Sequence, residues 1–179
     1  MLRAALLATL LIAAPALAQD RSGFGPGPVL ADVGPIAPVA SDVPIPRGAE
    51  FRIAFDLAAK TTPGQLSRQI ETAARTLNMH VAAGVPQNKV KIVLIFHGPA
   101  ALDLLNPAAY AARNDGKANA SADAVQKLLG TGVEFILCGQ TAASQGIRKA
   151  DLIPGVKMAL SAITAHALYQ QRGYTLNPF

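Results

Sequence analysis

Val90-Lys91-Ile92-Val93-Leu94-Ile95-Phe96-His97-Gly98 decides the fold of this chain. Lys91 is the only charge in a nearly continuous apolar run that is rich in β-branched residues and closes on glycine. A strand of this kind is buried on both faces, as a central strand is in a parallel sheet covered by helices. Val133-Glu134-Phe135-Ile136-Leu137-Cys138 repeats the pattern and runs into Gly139-Gln140-Thr141. Upstream, Phe51 to Leu57 begins by alternating apolar and polar residues and reads as a strand at the edge of the sheet. Tyr174-Thr175-Leu176 supplies a last short one.

The intervals between these strands carry helical signals. Thr62 is an expected N-cap with Pro63 at the first helical position. Leu66, Ile70, Ala73-Ala74, Leu77 and Val81 follow at the spacing of an amphipathic helix that ends near Gly84. Pro99 to Leu105 predicts a helical turn, Arg113-Asn114-Asp115-Gly116 a polar loop, and Ala122 to Leu129 a helix capped by Ser121 or Asn119. Thr141 to Gly146 predicts a short helix or turn. Gly155 to Gln171 predicts one long helix with Val156, Ala159-Leu160, Ile163 and Ala167-Leu168 on a single apolar stripe. Alternating strands and helices specify an α/β domain: a small doubly wound, mostly parallel sheet with helices on both faces.

At 179 residues the chain supports a single domain. Residues 1–18 read as a signal peptide, with Arg3 before an unbroken apolar run and Ala16-Leu17-Ala18 as the small-residue cleavage site. The leader predicts a bacterial periplasmic location. Residues 19–47 are so dense in Pro and Gly that they predict an extended arm or linker adding little to the core, draped over its own domain or a neighbour. Residues 48–179 then form the α/β domain. No stretch after the leader approaches the roughly 20 apolar residues of a membrane span. The formal charge of +5 is spread over scattered Lys and Arg with no basic stripe, which argues for surface solvation and against nucleic acid.

Chemistry concentrates at the ends of the two buried strands. His97 and Cys138 each close a strand and precede a glycine, so both belong on the carboxyl edge where open α/β sheets place functional groups. Gly98 and Gly139 allow sharp turns there, and Gln140 and Asn114 complete the candidate constellation. A helix opening at Gln140-Thr141 would direct backbone N–H groups towards the sulfur and favour thiolate. The opposing readings are a buried cysteine acting as small apolar filler and a His97 imidazole satisfied by a backbone carbonyl. His80, His97 and His166 have no ligand spacing, so no metal or other cofactor is expected. Cys138 is the only cysteine, so nothing within the chain could resolve its disulfide or persulfide.

Lys91 to Ala100, Asp103-Leu104-Leu105, Tyr110, Leu128-Leu129, Gly132-Val133-Glu134, Cys138-Gly139-Gln140, Asp151 to Val156 and Gly173-Tyr174 together resemble the DsrE/DsrF-like proteins over roughly Phe51 to Phe179. The resemblance implies a YchN-like α/β fold assembled into trimers or hexamers. It further implies that Cys138 stands where this family's sulfur-carrying cysteine is expected. Some members hold sulfur there as a persulfide and pass it between protein partners. Transferred to this chain, Cys138 is the carrier, His97 orients or polarises the group, and Gly98, Asn114, Gly139 and Gln140 line the binding site. The donor or acceptor would be a partner protein or a small thiol. The alternatives are a non-catalytic oligomeric module that binds a small ligand and a thiol redox sensor.

Overall fold

A computed structural model describes residues 20–177; the leader expected over residues 1–18 lies outside them. Five strands, β1 (Phe51–Leu57), β2 (Val90–Phe96), β3 (Glu134–Cys138), β4 (Lys157–Ala159) and β5 (Thr175–Asn177), form one all-parallel sheet in the order β4-β3-β2-β1-β5. β2 is its central strand. β1 is not at the edge as its alternating sequence suggested, because β5 pairs along its outer side from Ile53 to Phe55. The true edges, β4 and β5, have three residues each, too short to present a long unpaired ladder.

The chain steps from β1 to β4 in one direction and then returns across the sheet to β5. Crossovers keep a right-handed sense, so reversing direction moves the connecting helix to the other face. One face carries α1 (Arg68–Ala82) and α3 (Ala122–Gly130), whose Ile70, Ala73, Leu77, Val125 and Leu128 pack on Phe55, Leu57, Ile92, Leu94, Phe96, Phe135 and Leu137. The other carries α5 (Ala162–Gln171), whose Ala162, Ala165 and Tyr169 cover Ala54, Val93, Ile95, Ile136 and Cys138. The remaining α-helices among the described residues are short, α2 (Pro107–Ala111), started by Asn106 as N-cap, and α4 (Gly139–Ser144), and the helical turn expected after β2 is a 3-10 helix over Gly98–Leu104. Among the described residues no helix is long and apolar enough to cross a membrane.

Two expected helix starts are turns. Thr62-Pro63-Gly64-Gln65 places Gly64 at φ +86° with the Gln65 N–H donated to the Thr62 carbonyl, so α1 begins only after Ser67. Ile153-Pro154-Gly155-Val156 does the same with Gly155 at φ +97°. Pro followed by a left-handed Gly is the signature of a type II turn rather than a first helical turn. The long helix expected over residues 155–171 is therefore a turn, β4 and then α5, which Ser161 caps by accepting from the Thr164 N–H. Its predicted stripe also shifts: Ala162 and Ala165 lie against the sheet, whereas Ile163 is 82% exposed.

The arm is part of the core rather than apart from it. Leu30 and Val33 are buried in the cluster beneath α1, and Asn78, fully buried on that helix, holds them there. Its Oδ1 accepts from the N–H groups of Val29 and Leu30, and its Nδ2 donates to the carbonyls of Leu30, Val33 and Gly34. The approach is close: a Cβ on Gly34 would stand 2.3 Å from the Arg75 nitrogen. A Pro-rich strap cannot satisfy its backbone in a sheet, so a side-chain amide does it instead. Asn78→Ala should cost about 2 kcal/mol or more and open residues 22–46 to limited proteolysis while the sheet stays folded; an arm still protected would show that apolar contacts alone hold it.

A second buried polar group, Asp103, accepts from the Thr61 hydroxyl at 2.5 Å beneath the loop that precedes α1. Burial pushes its carboxyl up to about 6 against the hydroxyls of Thr61 and Ser67. A carboxyl raised in the folded state binds protons that the unfolded chain has released, so stability falls as pH rises from about 4 through about 6. The full effect is roughly 3 kcal/mol. Denaturant titrations of Asp103→Asn should show a flatter dependence over that interval than the parent; an unchanged slope would place the titration elsewhere.

Candidate functional site

Strand alternation puts three candidate side chains on the face covered by α5. On β1 the residues of that face are Ala54 and then Asp56, on β2 Val93, Ile95 and then His97, and on β3 Ile136 and then Cys138. The register aligns them, since Asp56 pairs with Ile95 and Phe96 with Leu137, so His97 and Cys138 follow at the next position on neighbouring strands. Adjacent parallel strands run roughly 4.8 Å apart. The His97 N–H donates to the Leu57 carbonyl at 2.9 Å and carries the ladder one residue past β2.

Asp56 is the centre of the cluster. His97 Nε2 lies 3.2 Å from each of its carboxylate oxygens, and His166 Nε2, from α5, lies 2.7 Å from Oδ1. A carboxylate accepts only, so each imidazole carries a proton on Nε2. The partner of His97 is thus a carboxylate and not a backbone carbonyl. Among the described residues no group of three His, Cys, Asp or Glu side chains is arranged to hold a metal ion.

Cys138 ends β3 and serves as N-cap of α4, its Sγ accepting from the Thr141 N–H at 3.5 Å. Burial pushes the thiol up, but hydrogen bonds from Thr141 and from the Ala162 and Gln140 N–H groups outweigh it and bring the thiol below its ordinary value. Donors aimed at a sulfur stabilise thiolate over thiol. The residue is only 6% exposed, enclosed between the start of α4 and the start of α5.

The other four sequence-predicted residues divide. Gly98, at φ +52°, donates its N–H to the Thr141 hydroxyl and accepts from Gln145 Nε2, which locks the loop after β2 to α4. Gln140 is exposed and its Nε2 donates to the Leu160 carbonyl at 3.3 Å. Gly139 is a close-approach position, since a Cβ there would stand 2.5 Å from the Ala159 carbonyl oxygen and 3.0 Å from that of Leu160. Asn114 is buried and donates to the Tyr110 carbonyl behind α2, on the opposite face from Cys138. Asp56 and His166 were missed by the sequence reading. Asp56 carried a usable signal, a charge at the alternate position where Ala54 is apolar and just before the strand ends. His166 carried none, because its helix was assigned the wrong face. Two cavities lie elsewhere: one of about 520 Å³ opens among Arg52, Lys91, Glu134 and Lys157 at the amino ends of the strands, and one of about 1020 Å³ separates the arm from α1. Neither is lined by Asp56, His97 or Cys138.

With this geometry in place, comparison with known proteins is decisive at the level of family. The profile of the DsrE/DsrF-like family matches residues 52–178. The chain belongs to the DsrE/DsrF-like family. The matched span begins inside β1, so the arm lies ahead of it. Among solved structures this DsrE/DsrF-like chain is similar to a protein of unknown function, MTH1491 from Methanobacterium thermoautotrophicum, at 19% identity and TM-score 0.53, covering 73% of this chain and all of that one. It is also similar to the ychN protein from E. coli, at 14% identity and TM-score 0.51, covering 72% of this chain and 99% of that one. Both likenesses are of fold. No curated protein matches the chain significantly.

In this family member the backbone crowding at Gly139 sets the position of Cys138. Gly139→Ala should destabilise by about 1–3 kcal/mol and raise the pH at which the Cys138 thiolate appears, because the Thr141 donor must move away. A variant with parental stability and parental thiolate titration would mean that the loop around Ala159 yields freely.

Proposed function

We propose that this DsrE/DsrF-like protein is a sulfur carrier in which Cys138 accepts sulfane sulfur as a persulfide and hands it to another protein or a small thiol. The observation that carries the reading is the sulfur's surroundings: a thiol at the carboxyl edge of a parallel sheet, held by N–H donors and adjacent in register to a histidine. The family and its fold support the same direction. Residues 1–18 and the scattered surface charge support an exported, periplasmic carrier that works away from nucleic acid. Exposed Ile163 and Leu160 beside the Cys138 edge support a homo-oligomer.

The transfer balances without a cofactor. Cys138 gives its proton to His97 and its thiolate attacks the outer sulfur of a persulfide donor, R–S–SH. The new S–S bond forms as the donor's breaks, the electron pair leaves on R–S⁻, and the proton returns from His97 to give R–SH. Release repeats the exchange with an acceptor thiolate attacking the outer sulfur and Cys138 as leaving group.

The 6% exposure of Cys138 favours a second reading, a non-catalytic module in which the thiol only lines a ligand site. Intact-mass measurement after incubation with a small-molecule persulfide separates them. The carrier should gain one sulfur atom per chain, lose it to excess thiol, and gain none as Cys138→Ser. A folded protein that gains no sulfur under these conditions removes the carrier reading.

A further inference from the structure

The hydrogen bonds of the two imidazoles differ in a way that assigns them different tasks. Both donate Nε2–H to Asp56, so each retains Nδ1 as its one acceptor. His166 Nδ1 is buried with no partner among the described residues. A second proton there would be an enclosed donor with nothing to receive it, an arrangement that proteins avoid. The His97 side chain is 34% exposed, and His97 is the next residue in register beside Cys138 on the sheet face that α5 covers. A proton released by the thiol therefore has a place on His97 and none on His166.

We propose that Asp56 is the positioning residue for Cys138 chemistry: its carboxylate, also held at Oδ1 by His166, fixes His97 as the Nε2–H tautomer and leaves Nδ1 to take and return the cysteine proton. This assignment rests on the carrier reading for its biological use, but not for its chemistry, which concerns the thiol proton alone. Asp56 comes from β1, His97 from the loop after β2, His166 from α5 and Cys138 from β3, so the cluster forms only when the sheet and its return helix are both in place. β5 brings no titratable group to this end, its Asn177 pairing with Phe55. Farther along the α5 face stand Tyr169 and Tyr174, both pushed up by burial and by the nearby Glu134. Tyr110, on the opposite face, is pushed up by burial and by Asp103. All three tyrosines of the chain are thus raised, which clears the ultraviolet window in which a thiolate absorbs.

The test is the ultraviolet thiolate titration of the mature protein, with Cys138→Ser subtracted as blank. Positioning predicts that Asp56→Asn moves thiolate formation to higher pH and slows persulfide uptake near neutral pH roughly tenfold to a hundredfold, since the imidazolium loses its counter-charge. Simple removal of an anion near the sulfur would move it to lower pH, so the sign discriminates. His97→Gln should abolish the effect of Asp56→Asn when the two are combined, as coupled residues do in a double-mutant cycle. Should Asp56→Asn fail to fold, nitrogen NMR of the parent protein decides, because both His97 and His166 must appear as Nε2–H tautomers below saturation with protons. An unmoved or lowered titration, additive effects, or an Nδ1–H tautomer at His97 overturns the assignment. If the titration shifts as expected while the parent takes up no sulfur, the positioning role stands and the carrier reading falls.

Discussion

Both faces of β2 are buried, and this single constraint organises the rest of the molecule. Ile92, Leu94 and Phe96 point to one side and Val93 and Ile95 to the other, and all five are fully enclosed. Exposing either set would leave large apolar area in water, at about 25 cal/mol per Å². The first face is covered by the crossovers that build the sheet, α1 and α3. The second receives nothing from those crossovers, so the chain must send one helix back across the whole sheet. That helix is α5, and its route from β4 to β5 begins beside Cys138 and passes over Asp56. The layer that closes the core is the same layer that delivers His166 and the Ala162 N–H to the site.

The site in turn reflects how little area α5 has to offer. Ala162 and Ala165 are small, so the helix approaches closely, close enough for its first N–H to reach a sulfur in the sheet. The same closeness forbids a side chain at Gly139, where the β4–α5 connection crosses the start of α4. Gly98 is tied to α4 by Thr141 and Gln145, so the loops after β2 and β3 form one unit. His97 and Cys138 thus stand on a common rim whose two loops are tied to each other.

The parts legible in the sequence are those where composition admits one environment. The runs of β2 and β3 suit only a doubly covered parallel sheet, and their ends marked His97 and Cys138. Proline was read less well, because the residue after it decides its meaning. Pro63 and Pro154 each precede a left-handed glycine and make turns, whereas Pro107 follows the capping Asn106 and starts α2. The face of α5 was unreadable for a different reason: Ile163 and Leu168 look as apolar as Ala162 and Ala165, and periodicity cannot choose between two apolar sides. Choosing the larger residues for the core hid His166, and with it the role of Asp56. Asn78 was hidden likewise, as a polar residue on a buried helix face whose partners lie more than forty residues away in a strap without regular structure.

The hydrogen bonds at Cys138 bear on both halves of the proposed carrier cycle. A thiolate held by N–H donors exists at lower pH but is intrinsically a weaker nucleophile, so stabilisation beyond a modest degree would slow attack. Release has the opposite dependence, since Cys138 is then the leaving group and a stabilised thiolate departs faster. Burial of the sulfur opposes the donors and holds the net lowering in check, a balance that the proposed carrier role requires. Because Cys138 is the only cysteine, no thiol of its own chain can attack a persulfide formed on it. Its fate depends on the acceptor that reaches the rim, and the enclosure that shields the thiolate also selects which acceptors can.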